Sequence, residues 1–95
     1  MIVGTLEIYL RLAHCHSLKE KRQTIRGVLE KTRRDFGVSI AEVDDQDLWG
    51  NATIGVAYVH SNSVEVENVM NRVLEIFDQS PDWEVEGFAR DVDRT

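Results

Sequence analysis

Apolar and polar positions alternate near the start of the chain. Leu6, Ile8, Leu10 and Leu12 fall on one side, and Thr5, Glu7, Tyr9 and Arg11 on the other. That period of two predicts a strand over residues 3–12 with one buried face. After Ser17 the period lengthens. Leu18, Ile25, Val28, Leu29, Thr32 and Phe36 share one face at about 3.6 residues per turn, which predicts a helix running to Phe36. Ser17 and Glu20 have the spacing of a capping box, and Gly37 supplies the C-terminal stop. Gly27 inside the helix costs up to about 1 kcal/mol of propensity, for which close packing against a sheet is one compensation.

Residues Val38 to Val43 read as a second strand. The run Asp44-Asp45-Gln46-Asp47-Leu48-Trp49-Gly50-Asn51 breaks the pattern, with Gly50-Asn51 as the turn residues. Ala52 to His60 alternates again, Ile54, Val56 and Tyr58 against Thr53, Gly55, Ala57 and Val59, and the small residues of the second set imply a close approach there. Ser61-Asn62-Ser63 offers caps for a helix over 63–79 with the apolar stripe Val66, Val69, Met70, Val73, Ile76 and Phe77. Its polar side carries Glu65, Glu67, Glu75 and Asp78, and Ser80-Pro81-Asp82 ends it. Trp83 to Val92 alternates weakly as a last strand, and Asp93-Arg94-Thr95 is expected to fray. The order strand, helix, strand, strand, helix, strand predicts a single α+β domain over 1–95. It has the ferredoxin-like βαββαβ arrangement: a four-stranded antiparallel sheet, first and third strands central, both helices on one face. The other sheet face, where Val3, Tyr9, Ala57 and Val59 fall, is then either solvated or covered by another subunit.

Composition narrows the class. At 95 residues and 42% apolar content the chain supports one modest core. No apolar run approaches the roughly 18 residues of a membrane span, and Met1-Ile2-Val3-Gly4 lacks the basic region of a signal peptide. Cys15 is the only cysteine, which excludes an internal disulfide and suits a reducing, cytoplasmic setting. The net charge of −6 is unevenly spread: His14 to Phe36 holds seven Lys or Arg against three acids, and Gly37 onward three Arg against thirteen acids. An acidic chain is not a general nucleic-acid binder, but a local basic face acts over the roughly 10 Å that salt leaves unscreened.

The segment HCHSLKEKR, followed by AEVDDQDLWGNATIG, resembles the YlxP-like family of small bacterial proteins, a domain of unknown function. The resemblance covers nearly the whole chain, and SLKEKR (Ser17 to Arg22) and AEVDDQDLW (Ala41 to Trp49) are its most specific parts. It implies the ferredoxin-like fold and, because members are often encoded beside translation initiation and ribosome-maturation factors, an association with RNA or ribosomal particles. It brings no catalytic residues.

The chemistry-bearing residues point to surfaces rather than to a reaction. Lys19, Arg22, Arg26 and Arg33 fall within an arc of about 60° on the first helix, and with Lys21 they form a candidate track for a phosphate backbone. The structural alternative is a solvated face stitched by Arg26–Glu30 and Glu30–Arg34 pairs. Tyr9, Leu48 and Trp49, with the small residues of the third strand, form a candidate homodimer patch. The RNA-recognition pattern of aromatics on the first and third strands is absent, Tyr9 being the only outward one. His14-Cys15-His16 offers too few ligands for a metal, so no metal or cofactor is expected. The acidic turn is read as Asp side chains bonding local backbone. An acylphosphatase-like site fails for want of a glycine between His14 and Leu18, and no nucleophile pair or nucleotide motif appears, so an enzyme is the least supported class.

Overall fold

The strand predicted first is β1, Ile2–Arg11, and its alternation is that of burial: Ile2, Leu6, Ile8 and Leu10 are enclosed while Thr5, Glu7, Tyr9 and Arg11 are not. The computed structural model describes the whole chain, Met1–Thr95. After β1 come α1 (Leu18–Phe36), β2 (Ser39–Asp44), β3 (Asn51–His60), α2 (Ser63–Gln79) and β4 (Glu84–Arg94). The strands form one antiparallel sheet in the order β2-β3-β1-β4. The fold is therefore the ferredoxin-like α+β arrangement, with β1 and β3 central.

Local chemistry sets the boundaries. At the head of α1 the Ser17 hydroxyl accepts from the Glu20 N–H (3.1 Å), and the Glu20 carboxylate accepts from the His16 N–H (3.0 Å). Gly37 closes the helix in the left-handed region at φ 66°, donating to the Arg33 carbonyl at 3.0 Å. Asn62 caps α2, its side-chain oxygen accepting from Val64 (2.8 Å) and Glu65 (3.3 Å).

Beneath the helices, Leu6, Ile8, Leu10 and Leu12 meet Ile54 and Val56 of β3 and Val66, Val69, Met70, Val73 and Phe77 of α2 in one core. Trp83 closes its lower end, packed on Phe77 and donating its indole N–H to the Phe77 carbonyl at 2.8 Å.

Three expectations need correction. The close helix–sheet approach is not at Gly27, where an added Cβ would meet nothing within 4 Å, but at Gly4 of β1, where it would lie 2.5 Å from a Val66 methyl. The close approach expected at the small residues of the third strand, by contrast, is present at Gly55, where an added Cβ would lie 2.7 Å from Val43, at an irregularity in β2. The C-terminus is paired rather than frayed, for β4 runs to Arg94 beside Ile2, and the Thr95 N–H donates to the Met1 carbonyl at 2.9 Å. In the β2–β3 connection the turn lies at Gln46-Asp47 rather than at Gly50-Asn51, Asn51 already opening β3, and Asp45 before it takes the left-handed region (φ 61°), which an aspartate tolerates better than most side chains.

Candidate functional site

The SLKEKR and AEVDDQDLW segments are joined in space by one side chain. Helical spacing puts Lys21 on the same stripe as Ile25 and Thr32, and all three are buried. The Lys21 ammonium donates to the carbonyls of Asp45 (2.8 Å), Asn51 (3.1 Å) and Gln46 (3.4 Å), and to that of Leu48 as well. It also lies 2.7 Å from the Glu42 carboxylate. Its three N–H bonds are shared among those carbonyls, so that same Glu42 oxygen meets it as a charge rather than as a well-directed acceptor. Lys21, expected on the phosphate track, is therefore not part of it. It is 0% exposed, and its charge is consumed in pinning the connection between β2 and β3.

The rest of that connection is fastened too. Asp44 accepts from the Asp45 N–H (2.8 Å), the Asp45 carboxylate accepts from the buried Thr53 hydroxyl (3.1 Å), and the Gly50 carbonyl accepts from the Leu12 N–H (2.8 Å). The predicted bonding of Asp side chains to local backbone is thus present. Held at the tip are Leu48 and Trp49, 51% and 48% exposed. The Trp49 ring lies 5.8 Å from that of His16, just ahead of α1.

The remaining basic residues divide. Lys19 and Arg22 are exposed on the first turns of α1 and make no ion pair. Arg26 pairs with Glu30 at 3.1 Å, as the helical spacing predicts, but Glu30 does not also hold Arg34, which turns to Asp35 (3.6 Å) beside Lys31 (2.6 Å). Arg33 donates to the Ile40 carbonyl at 2.7 Å. Arg22, Arg26 and Arg33 nevertheless line one groove between α1 and β2, floored by Ile25 and Leu29.

Tyr9 lies on the open sheet face, opposite Thr53, its hydroxyl 3.4 Å from Glu7. Partial desolvation, with the charge and hydrogen bond of Glu7 beside it, raises its pKa above the usual tyrosine value. Trp49 instead sits beside His16 at the head of α1, and no aromatic contact joins it to Tyr9. Cys15 is buried with its sulfur 3.7 Å from the Thr24 hydroxyl, while His14 and His16 point out on either side of it in sequence. No helix is long and apolar enough to cross a membrane.

Comparison with known proteins shows the family and the fold. A family model described as "Protein of unknown function (DUF503)" matches residues 3–90. The uncharacterized protein YlxP of Bacillus subtilis (strain 168) is 35% identical over 83 residues, 87% of this chain and 90% of that one. Among solved structures, a de novo designed protein with ferredoxin fold covers 100% of this chain and 88% of its own, at a TM-score of 0.58 and 9% identity, a likeness of fold alone.

Proposed function

Because the chain belongs to the DUF503 family, whose function is unknown, we propose on physical grounds that it is a non-enzymatic module binding RNA, free or in a ribosomal particle, along α1. The observation that carries this reading is the row Lys19, Arg22 and Arg26 on one exposed helix face, of which only Arg26 has an acid partner. The row spans about 10 Å, which matches about three phosphates of a strand. Trp49, held rigidly beside the head of the row, offers a ring on which an unpaired base stacks. Asp44 and Asp47 are exposed on the same connection, which confines the phosphate path to the helix.

Three phosphate contacts imply a modest salt dependence, a slope of about −2 in log K against log salt on a single strand. Fluorescence anisotropy with a labelled oligoribonucleotide across a salt series measures it. The double variant Lys19→Glu, Arg22→Glu should abolish most of the slope. Binding that ignores both salt and that variant overturns the reading.

A second reading, that the open sheet face joins two copies, is supported by the exposure of Tyr9, Val43 and Val59 there. Light scattering at high concentration tests it, and a monomer rules against it.

A further inference from the structure

The two edges of the sheet are treated differently. On β2 the carbonyls of Ile40 and Glu42 are covered by side chains, accepting from the Arg33 guanidinium at 2.7 Å and the Gln46 amide at 3.1 Å. A row of backbone groups blunted in this way resists pairing with another chain. On β4, eleven residues long, no side chain or loop bonds the backbone, whose only partner is β1. Its outward row of N–H and C=O groups is open along its whole length.

Beside that open edge runs a groove of about 410 Å³ between α2 and β4. Leu74, Val85 and Phe88 form its apolar floor, and Phe88 is 52% exposed although it lies on the helix-bearing side of the sheet, opposite Ile8. Glu75, Asp78 and Glu86 form its rim. The neighbouring cations are engaged elsewhere: Arg90 is bound by Glu67 and Asn71, and Arg72 lies 5.3 Å over the Phe36 ring. The groove therefore presents uncompensated negative charge around an apolar strip.

We propose that the β4 edge and this groove dock an extended basic segment of a partner protein, which adds to the sheet as a fifth strand beside β4. Backbone bonds to the open edge supply affinity, as in other strand additions. Alternate side chains choose the ligand: apolar ones meet Phe88, Val85 and Leu74, and lysine or arginine meets Glu75, Asp78 and Glu86. Charge also argues against a second copy at this edge. The β4 sequence holds four acids and two arginines, one of them already paired, so antiparallel self-pairing sets acidic strands side by side.

The test uses the full chain and a synthetic peptide of alternating valine and lysine, about seven residues long, the length of an ordinary strand. Anisotropy of the labelled peptide should report saturable binding that weakens with salt. A valine–glutamate peptide, and the valine–lysine peptide with methylated backbone nitrogens, should both fail. Phe88→Ala, and Glu75→Lys with Asp78→Lys, should each weaken binding about tenfold; all three side chains are exposed, so the fold survives. Hydrogen exchange should show the amides of β4 newly protected in the complex. Lys19→Glu with Arg22→Glu should leave peptide binding unchanged, so the two sites fail or succeed separately. Three results overturn the proposal: no binding, binding that protects no β4 amide, or a free protein already dimeric with β4 amides protected.

Discussion

The Lys21 ammonium meets the Glu42 carboxylate at 2.7 Å, inside a ring of carbonyls from Asp45, Gln46, Leu48 and Asn51. One residue of α1 and one of β2 thereby fix a connection belonging to neither. Removing one partner of such a group strands the other without water. Lys21→Met should cost about 3–5 kcal/mol in chemical denaturation. Glu42→Gln should cost less, about 1–3 kcal/mol, since the ammonium keeps its carbonyls. Lys19→Met serves as the control and should change stability by no more than about 0.5 kcal/mol. If Lys21→Met matches that control, the clamp has no energetic weight.

Gly27 and Gly4 should respond to alanine in opposite directions. Open space surrounds Gly27 on α1, so Gly27→Ala gains helix propensity and should raise stability by about 0.5–1 kcal/mol. At Gly4 the new methyl would stand 2.5 Å from Val66, with Met70 close behind at 3.2 Å. Gly4→Ala should therefore destabilise by about 1–3 kcal/mol as α2 is pushed off the sheet. Thermal melts of the two variants side by side decide the matter, and equal effects would contradict the packing described.

The two tryptophans differ in the same decisive way. Trp83 fills the base of the core and spends its N–H on Phe77, whereas Trp49 projects from a clamped loop. Trp83→Ala should cost about 3–5 kcal/mol. Trp49→Ala should leave the melting temperature nearly unchanged and remove the acrylamide-quenchable part of the fluorescence. A large loss of stability in Trp49→Ala would mean that the ring is structural.

Most of the fold was legible because its elements are locally consistent. The period-two run of β1 and the caps at Ser17, Gly37 and Asn62 each appear where the residues place them. Lys21 reads as a surface cation when charge is weighed before position. The apolar stripe of α1 lacks a member between Leu18 and Ile25, and the helical repeat places Lys21 in that gap. A lysine on a buried stripe signals an acceptor cage, but its acceptors are backbone carbonyls of a distant loop, which carry no mark in the sequence. The open edge of β4 was hidden for a different reason. Which strand lies at an edge follows from topology, and whether that edge is covered depends on where single side chains such as Arg33 and Gln46 turn, even though their acceptors are only seven and four residues away.

Asp35, near the end of α1, allows a test of the surface charges by pH. The hydrogen bond from Lys31 holds its pKa below the usual carboxylate value, against some opposing desolvation, with the charges of Lys31 and Arg34 adding to the depression. A depressed folded-state pKa means that the ionised form favours the fold. That contribution is complete above the unfolded-state value of about 3.9 and disappears as pH falls through the lower folded-state value. Because the carboxylate is exposed, salt should weaken the effect. Following the Asp35 carboxyl carbon by NMR should show a midpoint below about 3.9 that moves up toward that value in Lys31→Ala and in high salt. Neither change should alter the helix itself, whose C-terminus is held by Gly37 and the Arg33 carbonyl. A midpoint indifferent to Lys31 would show that this ion pair does not persist in solution.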